Sequence, residues 1–400
     1  MNSQAIAAGL DHEPLRVAVV GFGARSAIAA HVASAPDPAE VTAIVDVTEQ
    51  GRQRGRMLYP SAAVFGSVAE LVASRSADAA IVTTPDDTHE DVAVALLRAG
   101  IAVYLEKPLA ISVTGADRIL AASAETGTAL YVGHNYRHSS VVQVMRQVIE
   151  RGEIGEVRAV WVRHFVGNGG DYYFKDWHAD RTRTNSLLLQ KASHDIDVIH
   201  YLASGYTRRV VGMGELMLYG GITDRHEGVA GSMPDWFSMD NWPPAAHTRL
   251  NPVVDVEDLS MMLMRLDNGV LASYQQCHFT PDYWRNYTVI GTEGRLENVG
   301  DTAGGTVKVW NRRHEWQVAG DVEYPIGGDA SGHVDADMVT IAEFIAHVSR
   351  GVATVVSPIA ARESVATGAM ATASLRDGSA PREVPELDAH VAEYFGGAGR

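Results

Sequence analysis

The feature that most constrains this 400-residue chain is a repetition between Leu15 and Gly133. Short runs rich in Val, Ile and Ala alternate with helix-like stretches. RVAVV (16–20), VTAIVD (41–46), AAIVTT (79–84), IAVYL (101–105) and ALYVG (129–133) are continuous apolar runs, as expected of strands buried on both faces. Between them, HEDVAVALLRAG (89–100) is amphipathic and ends on Gly100, a helix-stop signal. Strand–helix–strand repetition implies a parallel sheet with helices on both faces, the doubly wound α/β layout. A first domain is therefore expected over residues 14–133.

The pattern changes after that. VVQVMRQVIERG (141–152) places Val141, Val144, Met145, Val148 and Ile149 on one helical face. VRAVWVRHF (157–165), LSMMLMRL (259–266), VLASYQQCHF (270–279) and YTVIGTEGRLE (287–297) are strand-like, and Asn268-Gly269 is a hairpin signal. Successive hairpins imply an antiparallel sheet, hence an α+β second domain over 134–400, with a closing helix in 357–378. Residues 219–252 lack periodicity and read as one long loop. Such loops are usually functional or disordered, and Trp236, Phe237 and Trp242 favour an ordered lid or a subunit contact.

Composition narrows the function classes. Lys+Arg 33 against Asp+Glu 49 gives a net charge of −16, which repels a polyanion and argues against a nucleic-acid partner. One cysteine, Cys277, excludes an intrachain disulfide and any Cys-rich zinc module. No apolar run approaches the ~20 residues of a membrane helix, and residues 1–14 lack the basic start and apolar core of a signal peptide. A soluble, cytoplasmic protein is expected. Sixteen histidines show no metal-ligand spacing, so no metal is expected.

The first strand runs into Gly21-Phe-Gly23-Ala24-Arg25-Ser26. A dinucleotide turn uses its first glycine for the bend, its second for close approach to the pyrophosphate and its third for helix packing. Here the third position is Ser26, a departure. Asp46 ends the second strand where a ribose 2′-hydroxyl acceptor belongs. An acid there favours NAD over NADP, while Arg52 and Arg54 nearby leave that preference open.

Further residues carry a family resemblance. Thr84-Pro85 with His89, Glu106-Lys107-Pro108 at a strand end, Gly133-His-Asn135-Tyr136-Arg137, His194-Asp195-Ile-Asp197 and Gly291-Thr-Glu-Gly294 together resemble the Gfo/Idh/MocA oxidoreductases, the glucose–fructose oxidoreductase and inositol dehydrogenase family. The resemblance implies a Rossmann domain joined to an open antiparallel sheet, with the active site between them. It also implies NAD or NADP as cofactor, a sugar or cyclitol substrate, and a homodimer or homotetramer. Thr84, Pro85, His89, Glu106 and Asn135 join the cofactor set by that resemblance.

Oxidising a secondary alcohol moves a hydride from carbon and a proton from oxygen, so the site needs a proton acceptor and a stabiliser of the alkoxide. Lys107, at the carboxyl end of a parallel strand, is the expected stabiliser. His194 is the expected base, in the first turn of a helix capped by Ser193, where the dipole favours neutral imidazole. Asp197 shares that helix face and either orients a substrate hydroxyl or bonds backbone. In inositol dehydrogenase-like members a carboxylate precedes this histidine by four residues; here Gln190, which cannot accept a proton, stands there, followed by Lys191. Aromatic and cationic side chains cluster at Arg163, Tyr172, Tyr173, Lys175, Trp177, His178 and again at His278, Tyr283, Trp284 and Arg285. With Arg137 and Lys191 they suggest an anionic sugar. Two enzyme readings follow: a sugar or cyclitol dehydrogenase, or an NAD-dependent glycoside hydrolase that transiently oxidises, eliminates, adds water and re-reduces. The latter needs a further acid/base, for which Tyr172, Tyr173 and His178 are candidates. A third reading, a non-catalytic NAD-binding sensor, conflicts with intact Lys107 and His194.

Overall fold

The structure, a computed structural model, describes residues 13–227, 233–328 and 334–396. Residues 1–12, and with them most of the segment considered as a leader, lie outside the described residues. Strands β1 (Leu15–Val20), β2 (Ala39–Val45), β3 (Ala63–Phe65), β4 (Ala79–Val82), β5 (Ala102–Leu105) and β6 (Leu130–Val132) form a parallel sheet in the order β3-β2-β1-β4-β5-β6. β4 and β5 are buried along their whole length, as their unbroken apolar sequence requires. In β1 the pleat sends Val17 and Val19 into one core layer and Ala18 and Val20 into the other. The strand order reverses between β1 and β4, which opens a crevice at their carboxyl ends.

The second sheet contains β7 (Val157–Val166), β8 (Thr207–Glu215), β9 (Leu259–Leu266), β10 (Leu271–Cys277), β11 (Tyr283–Gly291), β12 (Arg295–Val299), β13 (Thr306–Trp310), β14 (Val322–Pro325) and β15 (Arg382–Glu383), in the order β14-β13-β12-β11-β7-β10-β9-β8-β15. It is mixed rather than purely antiparallel, because β7 and β10 run parallel. Asn268-Gly269 does turn β9 into β10, with Leu266 N–H bonding Val270 O at 3.0 Å. The stretch 287–297 is two strands, broken where Gly291 N–H closes a turn on Gly294 O. One face of the sheet packs on helices Ser140–Glu150, Ser193–Ala203 and Pro358–Leu375. The other leaves Trp161, Met213 and Leu263 exposed.

The chain's last third returns to the first sheet. Ile341, Phe344 and Ile345 of helix Val334–Arg350 pack with Val17, Tyr104 and Tyr131, while Ala361 and Val365 of helix Pro358–Leu375 enter the opposite layer. The latter helix also presses on β8, where a Cβ on Gly212 would lie 2.1 Å from Ala371 O. It is therefore buried between the two sheets. The described part of the 219–252 loop is ordered by a small core of its own. Tyr219 stacks on Phe174 at 4.2 Å, Leu250 and Val256 join them, and Asp258 accepts the amides of Met217, Leu218 and Tyr219 at 2.7–2.9 Å. Asn241 then ties the loop to Asp171 at 2.6 Å.

Candidate active site

The crevice begins at Gly21, whose φ of +85° and close approach to Thr84 (2.8 Å from a built Cβ) admit only glycine. A Cβ on Gly23 would meet nothing within 4 Å, so this backbone is open to a close-approaching group. The following segment, Ala24–Ser34, is a 3₁₀ helix, and Ser26 turns its hydroxyl back onto Gly23 O at 2.7 Å. Asp46, just after β2, accepts the Phe22 amide at 2.7 Å through one carboxylate oxygen and the Thr48 amide and hydroxyl through the other. It thus sits directly beside the Gly-x-Gly turn. Thr84 Oγ1, on the loop after β4, is buried without a hydrogen-bond partner. Open glycine backbone, an acid beside it and a buried hydroxyl left unpartnered nearby fit a dinucleotide.

Beyond the turn, the loops leaving β4 and β5 carry Asp86 and Lys107. Lys107 Nζ donates to Gln190 O at 3.2 Å. This contact brings the first domain onto the segment Leu187–Ala192, and with it Lys191 and His194. Burial, then the nearby Lys191 charge, bring Lys107 down to about 8. Burial pushes Asp86 up to about 8 against the pull of Lys107, and Asp86 Oδ2 has no hydrogen-bond partner. A carboxyl group therefore does reach this site, although the position four before His194 is Gln190. His194 lies well below the usual histidine range because of its burial and then Lys107, Arg285 and Lys191, so its imidazole is neutral at physiological pH. Ser193 is not the helix cap; its hydroxyl bonds Gln190 O at 3.1 Å, and the helix starts without a side-chain cap. Tyr173 packs edge-on to His178 and His278, Trp177 stacks on His178 at 3.8 Å, and Tyr172 closes the cluster. Lys175 lies 3.6 Å from Asp171 at its edge.

The comparisons with known proteins concern the family and the fold. Residues 15–134 match the oxidoreductase family model with an NAD-binding Rossmann fold, and residues 142–297 match the GFO/IDH/MocA C-terminal domain. The chain belongs to the Gfo/Idh/MocA oxidoreductase family. It is 32% identical to inositol 2-dehydrogenase of Acidiphilium cryptum over 47% of this chain and 54% of that protein. It is 28% identical to 1,5-anhydro-D-fructose reductase of Ensifer adhaerens over 58% and 59%. The chain thus spans a little over half the length of these curated relatives. Among solved structures, levoglucosan dehydrogenase in complex with NADH and levoglucosan superposes with a TM-score of 0.76 at 16% identity, over 94% of this chain and 100% of that one. WlbA dehydrogenase of Bordetella pertussis, in complex with NADH and UDP-GlcNAcA, gives 0.70 at 19%, over 94% and 100%. At such identities these two show the fold.

Several residues expected at the site of this Gfo/Idh/MocA chain are turned elsewhere. Arg137 binds Asp197 through two bonds, at 2.6 and 2.8 Å, with both side chains buried, so each satisfies the other rather than a ligand. His89 is fully buried, its ring nitrogens facing Pro108 O and Thr84 O; it braces the two crevice loops from behind. His278 is also fully buried, against Asp258 O. Arg163 lies on the outer face of β7 beside Asn286, because side chains alternate along a strand and its neighbour His164 takes the inner face. Arg25 is held by Glu106 at 2.7 Å and by Asp337 at 2.6 Å, and Asn135 bonds Asp337 at 2.7 Å. These three link the turn to helix Val334–Arg350.

Two pairings among the quoted residues had no sequence signal. Asp195 is the centre of a buried network, accepting from Arg285 at 3.0 Å, from Tyr274 at 3.3 Å and from Tyr287, with His164 at 3.2 Å. Lys191 meets the hydroxyl of Tyr283 at 2.9 Å.

Proposed function

We propose that this chain is an NAD-dependent dehydrogenase acting on a secondary hydroxyl of a sugar, sugar derivative or cyclitol, with an anionic group on the substrate. The observation that carries this reading is the convergence of Lys107 and neutral His194 at the carboxyl ends of the parallel strands. Gly21, Gly23, Asp46, Thr84 and Pro85 would hold the dinucleotide. Bound there, the nicotinamide ring supplies the hydride acceptor. Lys107 donates to the reacting oxygen and stabilises the alkoxide charge, while His194 accepts the hydroxyl proton. Asp46 supports NAD over NADP, because a 2′-phosphate there would face a carboxylate. Buried Lys191 and half-buried Lys107, in an otherwise acidic chain, support the anionic substrate. The substrates named for the relatives, inositol and 1,5-anhydro-D-fructose, support the polyol class.

The runner-up is an NAD-dependent glycoside hydrolase. Gln190 in place of a carboxylate favours it, but its three candidate acid/bases fare poorly. Burial pushes Tyr172 up to about 12 and Tyr173 well above its ordinary value, and His178 is stacked under Trp177 at 3.8 Å. Incubating the protein with NAD and panels of free and glycosidically linked sugars, acidic ones included, separates the readings. NADH accumulating with a free sugar supports the dehydrogenase, and sugar release without net NADH supports the hydrolase. Cofactor binding without turnover of any panel member would contradict both.

A further inference from the structure

A simple alcohol oxidation moves one proton, and His194 accounts for it under the reading above. Lys191 and Tyr283 form a second titratable pair beside it. Lys191 is 7% exposed, and among the described residues it forms no ion pair. A buried ammonium without a counter-charge is costly. Its hydrogen bond goes to Tyr283 Oη at 2.9 Å, and its Nζ also lies 5.2 Å from the Tyr283 ring centroid and 5.5 Å from that of Tyr173. Ionising the phenol would supply the missing negative charge. Tyr283 is 40% exposed, and its hydroxyl is anchored on a buried cation.

Every charged or titratable neighbour bears on that phenol. Arg285, on the same strand, lies 5.9 Å from the ring. His164 of β7 meets it edge-on at 5.6 Å, but burial keeps that imidazole neutral. Tyr173, Tyr172 and Tyr136 are held protonated by burial. Asp195 opposes ionisation, though Arg285 and the surrounding hydroxyls neutralise it. Burial of the hydroxyl end raises a phenol, but Lys191 and Arg285 override this and bring Tyr283 down to about 8.

We propose that Tyr283 is a second proton-transfer residue of this site, with Lys191 as its positioning partner, and that it acts on the carbon next to a sugar carbonyl. The proposal rests on the sugar site proposed above. The phenolate oxygen takes the proton from that carbon. The C–H electron pair becomes the C=C bond of an enolate, and the carbonyl π pair moves to an oxygen stabilised by Lys107. Tyr283 is left as the phenol, and the reverse step returns the proton. No oxidant is consumed.

The test begins without substrate. The near-ultraviolet tyrosinate band of the purified protein is titrated for wild type, Tyr283→Phe and Lys191→Met. We expect one of the 14 tyrosines to ionise at a pH of about 8, to vanish in Tyr283→Phe and to move into the ordinary tyrosine range or above in Lys191→Met. Identical titrations of wild type and Tyr283→Phe near that pH overturn the proposal whatever the enzyme's substrate. The second readout is wash-in of solvent deuterium beside the carbonyl of D-fructose and L-sorbose, followed by NMR. Loss of at least ~10-fold in Tyr283→Phe, within the range of a general base, supports the role. Equal exchange, or none by wild type, overturns it. A titrating Tyr283 with no NADH formation on any free sugar would refute the dehydrogenase reading alone.

Discussion

Replacing Asp197 by Ala separates a structural carboxylate from a substrate-binding one. Asp197 and Arg137 are joined by bonds of 2.6 and 2.8 Å, with side chains 1% and 8% exposed. Arg137 also donates to Val355 O at 3.1 Å. Burial favours a protonated Asp197, but Arg137 outweighs it and holds the carboxylate below its usual range. Removing Asp197 strands a buried guanidinium, which costs about 3–5 kcal/mol. With a urea slope of roughly 1–3 kcal/mol/M, the unfolding midpoint should fall by about 1 M or more. The double variant Arg137→Met with Asp197→Leu should recover most of that loss, since it removes both charges. Because the folded carboxylate titrates below its unfolded value of about 3.9, the contribution is present at neutral pH and disappears as pH falls through the folded value. Urea unfolding beside kcat and KM is the assay. An unchanged midpoint with collapsed kcat/KM would refute the structural reading and put Asp197 on the substrate.

Other perturbations probe other parts of the site. A Cβ on Gly51 would lie 2.2 Å from the Asp46 carboxyl carbon, so Gly51→Ala should push Asp46 off the Phe22 amide and raise the Kd for NADH about tenfold, measured by cofactor fluorescence. Asp46→Ala should shift the NADP/NAD ratio of kcat/KM upward; a constant ratio would show that Asp46 does not discriminate. Lys107→Ala should lower kcat by roughly 10²–10³, as loss of an oxyanion donor does, with little change in NADH affinity. His194 lies well below the ordinary range, so NADH formation should stay level as pH falls through about 6.5; a decline centred there would mean that an unperturbed histidine is the base.

The parallel sheet was legible because its buried strands carry unbroken apolar runs such as AAIV (79–82). The Gly-x-Gly turn was legible because a positive φ and close packing at Gly21 leave glycine no substitute there. β8 escaped notice, since Arg208, Arg209, Gly212 and Gly214 interrupt its apolar alternation. Residues whose partners lie far away were harder to place. Arg137 and Asp197 are 60 positions apart and Arg25 and Asp337 are 312 apart, so local sequence offers no sign of either pairing. The alternation of β7 was the available signal that Arg163 and His164 face opposite ways. Tyr283 and Lys191 stood out as an aromatic and a cation in the sequence, but their pairing did not: it depends on β11 lying against β7 across Val166, and on the turn that delivers Lys191.

The most direct measurement uses carbon-deuterated sugars and cyclitols with NAD, followed by mass spectrometry of the reduced cofactor. We expect NADH carrying one deuterium from the substrate carbon with wild type, and roughly 10²–10³-fold less of it in the same time with Lys107→Ala. Wild-type protein that binds NAD yet transfers no deuterium from any member of the panel would contradict hydride transfer at Lys107 and His194.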